Sequence, residues 1–169
     1  MTGVLAALLL AAAGLVFVYA AVTDFRSWKI HNHTILALII LFALYAVCAV
    51  VSPDDVPLPV SLPGAVGAAA LLFATGFLLW QFKLLGAGDA KLMFPVGLFV
   101  GWNSLMAYAV FLIGFALLAT LLLRLPLPYG LSSTWPGMRL NEIRKTGKVP
   151  YGVIMVAALF ALLSVNYKS

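Results

Sequence analysis

The chain has 169 residues, of which 64 % are hydrophobic and only 9 % are charged. A soluble domain of this length carries about a quarter charged residues, so the composition excludes that class and indicates a polytopic membrane protein. The net charge of +5 comes from basic residues dispersed among the loops, which argues against nucleic-acid binding, and one cysteine, Cys48, provides neither a disulfide framework nor a cysteine-based zinc site.

Six apolar stretches are predicted to cross the bilayer as α-helices, since about 20 apolar residues span the hydrocarbon core. In chain order they are 5–22, 35–51, 63–82, 90–101, 105–123 and 151–165. The first stretch has no basic residues before it, so we interpret it as a retained helix rather than a cleaved signal peptide. We therefore predict an all-α polytopic membrane protein in which residues 1–169 form a single membrane-embedded domain.

The fourth and fifth spans come from one stretch, residues 92–123, which carries no charge. As a single helix it would be about 48 Å long, too long for the hydrocarbon core unless strongly tilted. The turn-like sequence 101–104 (Gly-Trp-Asn-Ser) divides it into two spans.

The distribution of basic residues predicts the orientation of these spans. With six spans, nine of the ten basic residues share one side and only Lys168 lies on the other. Merging the fourth and fifth spans would instead move the five basic residues of 124–148 to the outside, against the positive-inside rule. We therefore expect both termini outside, and Asp24 and Asp89 at the cytoplasmic face.

Asp24 and Asp89 are the candidate catalytic residues. The chain contains only five acidic residues, and these two lie at the edges of predicted spans beside basic residues. A carboxylate near hydrocarbon is costly and usually faces a cavity, which makes each a functional candidate. A pair of carboxyl groups is what the acid/base chemistry of an aspartic protease requires.

Asp89 follows two glycines in Gly86-Ala87-Gly88-Asp89, a loop signal between two spans. Glycines allow the backbone to turn tightly and to approach a substrate closely. Backbone that is unwound at membrane depth must be satisfied by protein or by a water-filled cavity, and such a cavity would supply Asp89 with water. The alternative is a plain glycine turn in which Asp89 is the N-cap of the next helix.

Three segments together resemble the type IV prepilin peptidases, which are membrane aspartic proteases of the GxGD class. The segments are Asp24-x-Arg26 with Ile30-His31-Asn32, Gly86-x-Gly88-Asp89-x-Lys91-Leu92, and Val149-Pro150-Tyr151-Gly152. The resemblance covers nearly the whole chain. It implies a bacterial inner-membrane endopeptidase of type IV pilus biogenesis that uses Asp24 and Asp89 without a metal or organic cofactor. The implied partners are the lipid bilayer and a prepilin with a short basic leader and an apolar helix, cut at the cytoplasmic face.

Five further residues are assigned to substrate binding beside the two aspartates: Gly86, Gly88, Lys91, Arg26 and Asn32. Lys91 and Arg26 could also tune the aspartate pair, because a nearby cation favours an ionised carboxylate. Their alternative roles are topology determinants and lipid-headgroup anchors. Asn32 could instead cap the second span.

The chain departs from the family pattern at two places. His31 stands where the family usually has proline, and the connection 23–34 lacks the cysteine-rich insertion of the long bifunctional members. The length matches the short form associated with Flp-type, tight-adherence pili. The resemblance therefore implies peptidase activity and leaves N-methylation of the product open.

Two alternatives to a prepilin peptidase remain. A cation- or proton-coupled transporter or channel subunit would use the aspartates as ion ligands or proton relays. It would place them near the bilayer midplane, and neither that placement nor repeated broken helices is evident in the sequence. A presenilin-like GxGD protease usually has tyrosine before its first aspartate, whereas Asp24 follows Thr23.

Overall fold

The computed structural model describes residues 2–56, 61–124, 134–146 and 149–166. Its helices are α1 (Thr2–Ser27), α2 (Asn32–Val51), α3 (Leu62–Gln81), α4 (Ala87–Val100), α5 (Leu105–Arg124), α6 (Trp135–Thr146) and α7 (Tyr151–Asn166), with one 3₁₀ turn at Pro53–Asp55. These ranges contain no β-strand, and the predicted all-α class is confirmed.

Four of the helices, α1, α2, α3 and α5, are long and apolar enough to cross a membrane. Two of the three shorter helices, α4 and α7, have 14 and 16 residues and coincide closely with the fourth and sixth predicted spans. Large apolar side chains remain exposed on the outside of the bundle, among them Leu15, Met106 and Leu117. An exposed apolar surface of this extent suits a protein that is surrounded by lipid.

The predicted break between the fourth and fifth spans is confirmed. Helix α4 ends at Val100 and α5 begins at Leu105. Between them Gly101 has φ of 69°, a left-handed conformation that glycine adopts without the steric cost of a β-carbon.

Helices α3 and α4 form a close antiparallel pair. Gly97 of α4 lies against the backbone of Ala69, so a β-carbon at Gly97 would collide with the Ala69 Cα and N atoms. Near the other end of the pair, a β-carbon at Gly76 would lie 3.1 Å from the Ala90 Cα atom. Small residues therefore bring the two backbones together, as is common where membrane helices associate.

Helix α4 is central in the bundle, in contact with α2, α3, α5 and α7. Its residues Leu92 and Val96 are fully buried in a core that includes Phe17 of α1 and Leu159 of α7. This packing places the first turn of α4, which carries Asp89, beside the last turn of α1 and the first turn of α7. We call this the carboxylate end of the bundle.

Helix α1 is longer than predicted. It continues to Ser27, five residues beyond the predicted end of the span, so Asp24 belongs to its last turn. The helix stops where Trp28 takes φ of 56° and its N–H donates to the Asp24 carbonyl oxygen at 2.9 Å. The extra turn carries the Asp24 side chain toward α4 and α7.

Helix α6 was not predicted, because the connection 124–150 has a polar composition. Its start signal is nevertheless present in the sequence as Thr134 followed by Pro136. The Thr134 hydroxyl accepts from the Gly137 N–H at 3.4 Å, which caps the helix, and Ile143 is buried against the bundle.

Candidate active site

Asp24 is a buried carboxylate held by a helix N-terminus. Its side chain is 4 % exposed, and its Oδ2 atom accepts a hydrogen bond of 2.9 Å from the Gly152 backbone N–H. Gly152 is the second residue of α7, where backbone N–H groups have no partner within their own helix. The α7 N-terminus therefore provides both a donor and a favourable dipole for a negative charge.

Asp89 is the second buried carboxylate, 8 % exposed, in the first turn of α4. The backbone N–H groups of Gly86 and Gly152 lie within interaction range of its side chain. Gly86 is the N-cap of α4, so the contact has the geometry of a capping box, in which the third helical residue reaches back to the cap. Within the described part of the chain, the buried Asp89 Oδ1 atom has no hydrogen-bond partner.

The structure brings Asp24 and Asp89 together although 65 positions separate them in the sequence. The two carboxylates interact electrostatically, and the Gly152 amide contacts both. Two carboxyl groups that share a site do not both ionise readily. The arrangement can hold one proton between two carboxyl groups, which is the state that acid/base catalysis by such a pair needs.

The role predicted for the two glycines needs a correction. The connection after α3 ends at Gly86, which has φ of −71°, and Gly88 already lies within helix α4. Gly86 is therefore an extended N-cap, Gly88 is helical and neither is left-handed, so the predicted unwound segment does not reach Asp89 and the N-cap is Gly86 rather than Asp89. Both positions leave little room for a side chain. A β-carbon at Gly86 would lie 2.8 Å from Asp89 Oδ2, and one at Gly88 would lie 3.3 Å from the Ile30 Cβ atom.

The remaining predicted residues are Lys91 on α4, Asn32 at the start of α2 and Arg26 on α1. The Lys91 Nζ atom donates to the Asn32 Oδ1 atom at 3.1 Å, which joins the start of α4 to the start of α2. Together with the contact between Gly88 and Ile30, this bond connects the two aspartate motifs. Arg26 lies on an exposed face of α1, in a groove between α1 and α7.

Gly152 is the site residue that sequence reasoning did not assign. A β-carbon there would lie 2.8 Å from Asp24 Oδ2 and 3.1 Å from Asp24 Cγ, so only glycine leaves room for the carboxylate. The sequence signal was the Val149-Pro150-Tyr151-Gly152 segment, whose role cannot be derived without the contact between α7 and α1. Among the described residues, no group of three or more His, Cys, Asp or Glu side chains is arranged to hold a metal ion.

Fold and site together define a multi-pass helical membrane protein with a buried pair of carboxyl groups at one end of its bundle. A model of the type IV leader peptidase family matches residues 5–124, which include both aspartates and more than half of the chain. The chain therefore belongs to the type IV leader peptidase family, as the resemblance implied. Comparisons with curated proteins and with solved structures found no match. The family match ends before α7, the helix that contributes Gly152.

Proposed function

We propose that this protein is an aspartic endopeptidase that removes the short basic leader from Flp-like type IV prepilins, with Asp24 and Asp89 as its catalytic residues. The observation that carries the proposal is the convergence of two buried carboxylates on the Gly152 amide. Membership in a family of leader peptidases supports the peptide-bond chemistry and the class of substrate.

The mechanism follows from one proton shared by the pair. The ionised carboxylate takes a proton from water, which attacks the scissile carbonyl carbon, while the protonated partner donates a hydrogen bond to the carbonyl oxygen. The roles then reverse, because the group that received the proton delivers it to the departing amine. The Asp89 Oδ1 atom, buried and without a partner in the described residues, is available to the water or the carbonyl oxygen. Activity then depends on pH in a bell shape, since both the doubly protonated and the doubly ionised pair are inactive.

The proposed membrane orientation fits this substrate. Nine of the ten basic residues fall on the side of the spans that carries the carboxylates, which is the cytoplasmic side by the positive-inside rule. A substrate with a basic leader and an apolar helix obeys the same rule, so its leader also stays in the cytoplasm. The junction between leader and helix then arrives at the membrane edge, where the carboxylates lie.

Replacing either aspartate by asparagine tests the proposal. Each change keeps the size of the side chain and removes the titratable group, so Asp24→Asn and Asp89→Asn should each abolish leader removal. The measurement is a gel shift of a co-expressed prepilin, with the membrane level of each variant determined in parallel. Asp54→Asn is the matched control, because Asp54 is exposed in the turn after α2 and should leave processing intact. Full processing by either active-site variant would remove that residue from catalysis.

A further inference from the structure

Thr34 is a buried threonine in the first turn of α2. Its side chain is 2 % exposed, and among the described residues its Oγ1 atom finds no hydrogen-bond partner. A threonine inside a helix can donate to the carbonyl oxygen four residues earlier, as do Thr23, Thr75 and Thr120 in this chain. The residue four before Thr34 is Ile30, which precedes the helix, and Thr34 does not make this bond. Its hydroxyl is therefore left for another group.

The first turn of α2 is level with the first turn of α4, which carries Asp89. The Asn32 side chain accepts a hydrogen bond from a lysine of α4, and the Gly88 backbone lies against Ile30. Thr34 follows Asn32 by two residues, or about 3 Å along the helix axis. Thr34 and Asp89 therefore lie at a similar depth in the bundle.

Thr34 also belongs to the face of α2 that is turned toward the other helices. Leu38, one turn further along this face, is fully buried in the core that includes Ala20 of α1 and Leu92 of α4. Ala20 and Leu92 are themselves one helical turn away from the two aspartates, as Leu38 is from Thr34. The same register therefore places the Thr34 side chain in one polar layer with the aspartate pair.

Two buried polar atoms of this layer lack a hydrogen-bond partner among the residues that the structure describes, Thr34 Oγ1 and Asp89 Oδ1. Leaving such atoms unpaired is costly, and a buried water that bonds to two to four polar groups is the usual way to satisfy them. A threonine hydroxyl can both donate to a water and accept from it, and a carboxyl oxygen can accept. The two atoms are therefore suited to bind one water molecule together.

We propose that Thr34 is a further residue of the active site, and that its hydroxyl and Asp89 Oδ1 together hold the water that attacks the peptide bond. The inference rests on the proposed function and adds a ligand for the attacking water. One hydrogen of the water is directed to the ionised carboxylate, which takes it as the new bond from oxygen to the carbonyl carbon forms. The second hydrogen bonds to the Thr34 oxygen and stays on the attacking oxygen, so that a lone pair faces the carbonyl carbon.

The test separates the hydroxyl from the shape of the side chain. Thr34→Val removes the hydroxyl and keeps the branched shape, whereas Thr34→Ser keeps the hydroxyl. Thr120→Val is the matched control, because Thr120 is exposed on α5 and its hydroxyl bonds within its own helix. For each variant, kcat and KM are measured with a prepilin, together with the membrane level and the Tm in detergent.

Thr34→Val should lower kcat by on the order of 10²-fold and leave KM within about twofold, because a misplaced water slows the chemical step rather than substrate binding. Its Tm should not fall, since valine fills the same space and no hydrogen bond between described residues is lost. Thr34→Ser and Thr120→Val should keep kcat within about threefold of the wild type. Wild-type kcat in Thr34→Val, an equal loss in Thr34→Ser, or a loss that only follows a lower Tm would overturn the inference.

A second measurement does not depend on cleavage. A crystal structure of the wild type should show a water within about 2.5–3.0 Å of both Thr34 Oγ1 and Asp89 Oδ1, and this water should be absent in Thr34→Val. No water between the two atoms, or a protein group in its place, would refute the inference. If the water is present but the wild type cuts no prepilin, the proposed function fails and Thr34 is a ligand of a structural water only.

Discussion

Gly152 shows how much of this site depends on one missing side chain. Its backbone N–H contacts both carboxylates, and the space that a β-carbon would take is filled by the Asp24 side chain. The residue touches no substrate in the proposed mechanism. It is a positioning residue that holds the two acids at one distance from each other.

Gly152→Ala should therefore reduce turnover while the protein still assembles. The added methyl group displaces the Asp24 carboxylate, and a misplacement of about 1 Å costs on the order of 10²-fold in rate. The measurement is the rate of prepilin cleavage at matched membrane abundance, together with its pH profile, which should change because the interaction between the two acids changes. Gly114→Ala is the control, since a β-carbon at Gly114 meets nothing within 4 Å. Wild-type rate and pH profile in Gly152→Ala would contradict this role.

The contacts among residues 30, 32, 88 and 91 explain why the two aspartate motifs belong together. Lys91 bonds to Asn32, and Gly88 lies against Ile30, so the start of α4 is joined to the segment between α1 and α2. Both partners of the hydrogen bond are exposed, and such a bond contributes only about 0.5–1.5 kcal/mol to stability. The bond holds the start of α4, which carries Asp89, beside the start of α2, which follows α1 after a short connection.

At the scale of elements, the pairing of α3 with α4 sets the position of Asp89. Helix α4 is short and central, and its closest neighbour is α3, against which Gly97 and Gly76 bring the backbones into contact. A shift of α4 along α3 would move its first turn away from α1 and α7. The two glycines, one toward each end of the pair, thus fix the position of α4 along α3.

Gly97→Ala should destabilise the folded protein. The new β-carbon would collide with the Ala69 backbone, which cannot give way as a flexible side chain can. Overpacking of this kind costs about 1–3 kcal/mol, and a lower Tm in detergent should report it. Gly114→Ala in α5 should leave Tm unchanged or raise it slightly, because alanine favours a helix over glycine by about 0.5–1 kcal/mol. Equal Tm values for the wild type and Gly97→Ala would disprove the close packing.

For the whole molecule, the structure defines which residues share an end of the bundle. Thr2 and Asp55 meet at the end opposite the carboxylates, where the Thr2 hydroxyl donates to the Asp55 carboxylate at 2.7 Å. The assignment of each end to a side of the membrane comes from the charges alone.

Cysteine accessibility tests that assignment. In a Cys48→Ala background, Ser27→Cys and Asn141→Cys should react only when a membrane-impermeant thiol reagent is admitted to the cytoplasm. Asp54→Cys should react from outside. The physical reason is the nine-to-one distribution of basic residues between the two sides. Labelling of Asn141→Cys from outside would contradict the six-span topology and reverse the connection that contains α6.

The sequence by itself determined the class of the protein and the approximate helices. A long apolar segment with few charges is expected to cross a bilayer as a helix, because a helix satisfies all of its backbone groups internally. The break at Gly101 could also be predicted, because a helix of 32 uncharged residues is longer than the hydrocarbon core is thick. Both aspartates could be singled out because charged residues near hydrocarbon are rare.

Only the tertiary structure decided how these parts form a site. Asp24 belongs to a helix that continues past the predicted end of its span, and Asp89 belongs to the first turn of α4 rather than to an unwound loop. Their meeting point is the amide of Gly152, in a helix more than 60 residues further along the chain. Composition and spacing describe each segment separately, whereas the contact of two acids through a third helix depends on how all of the helices pack.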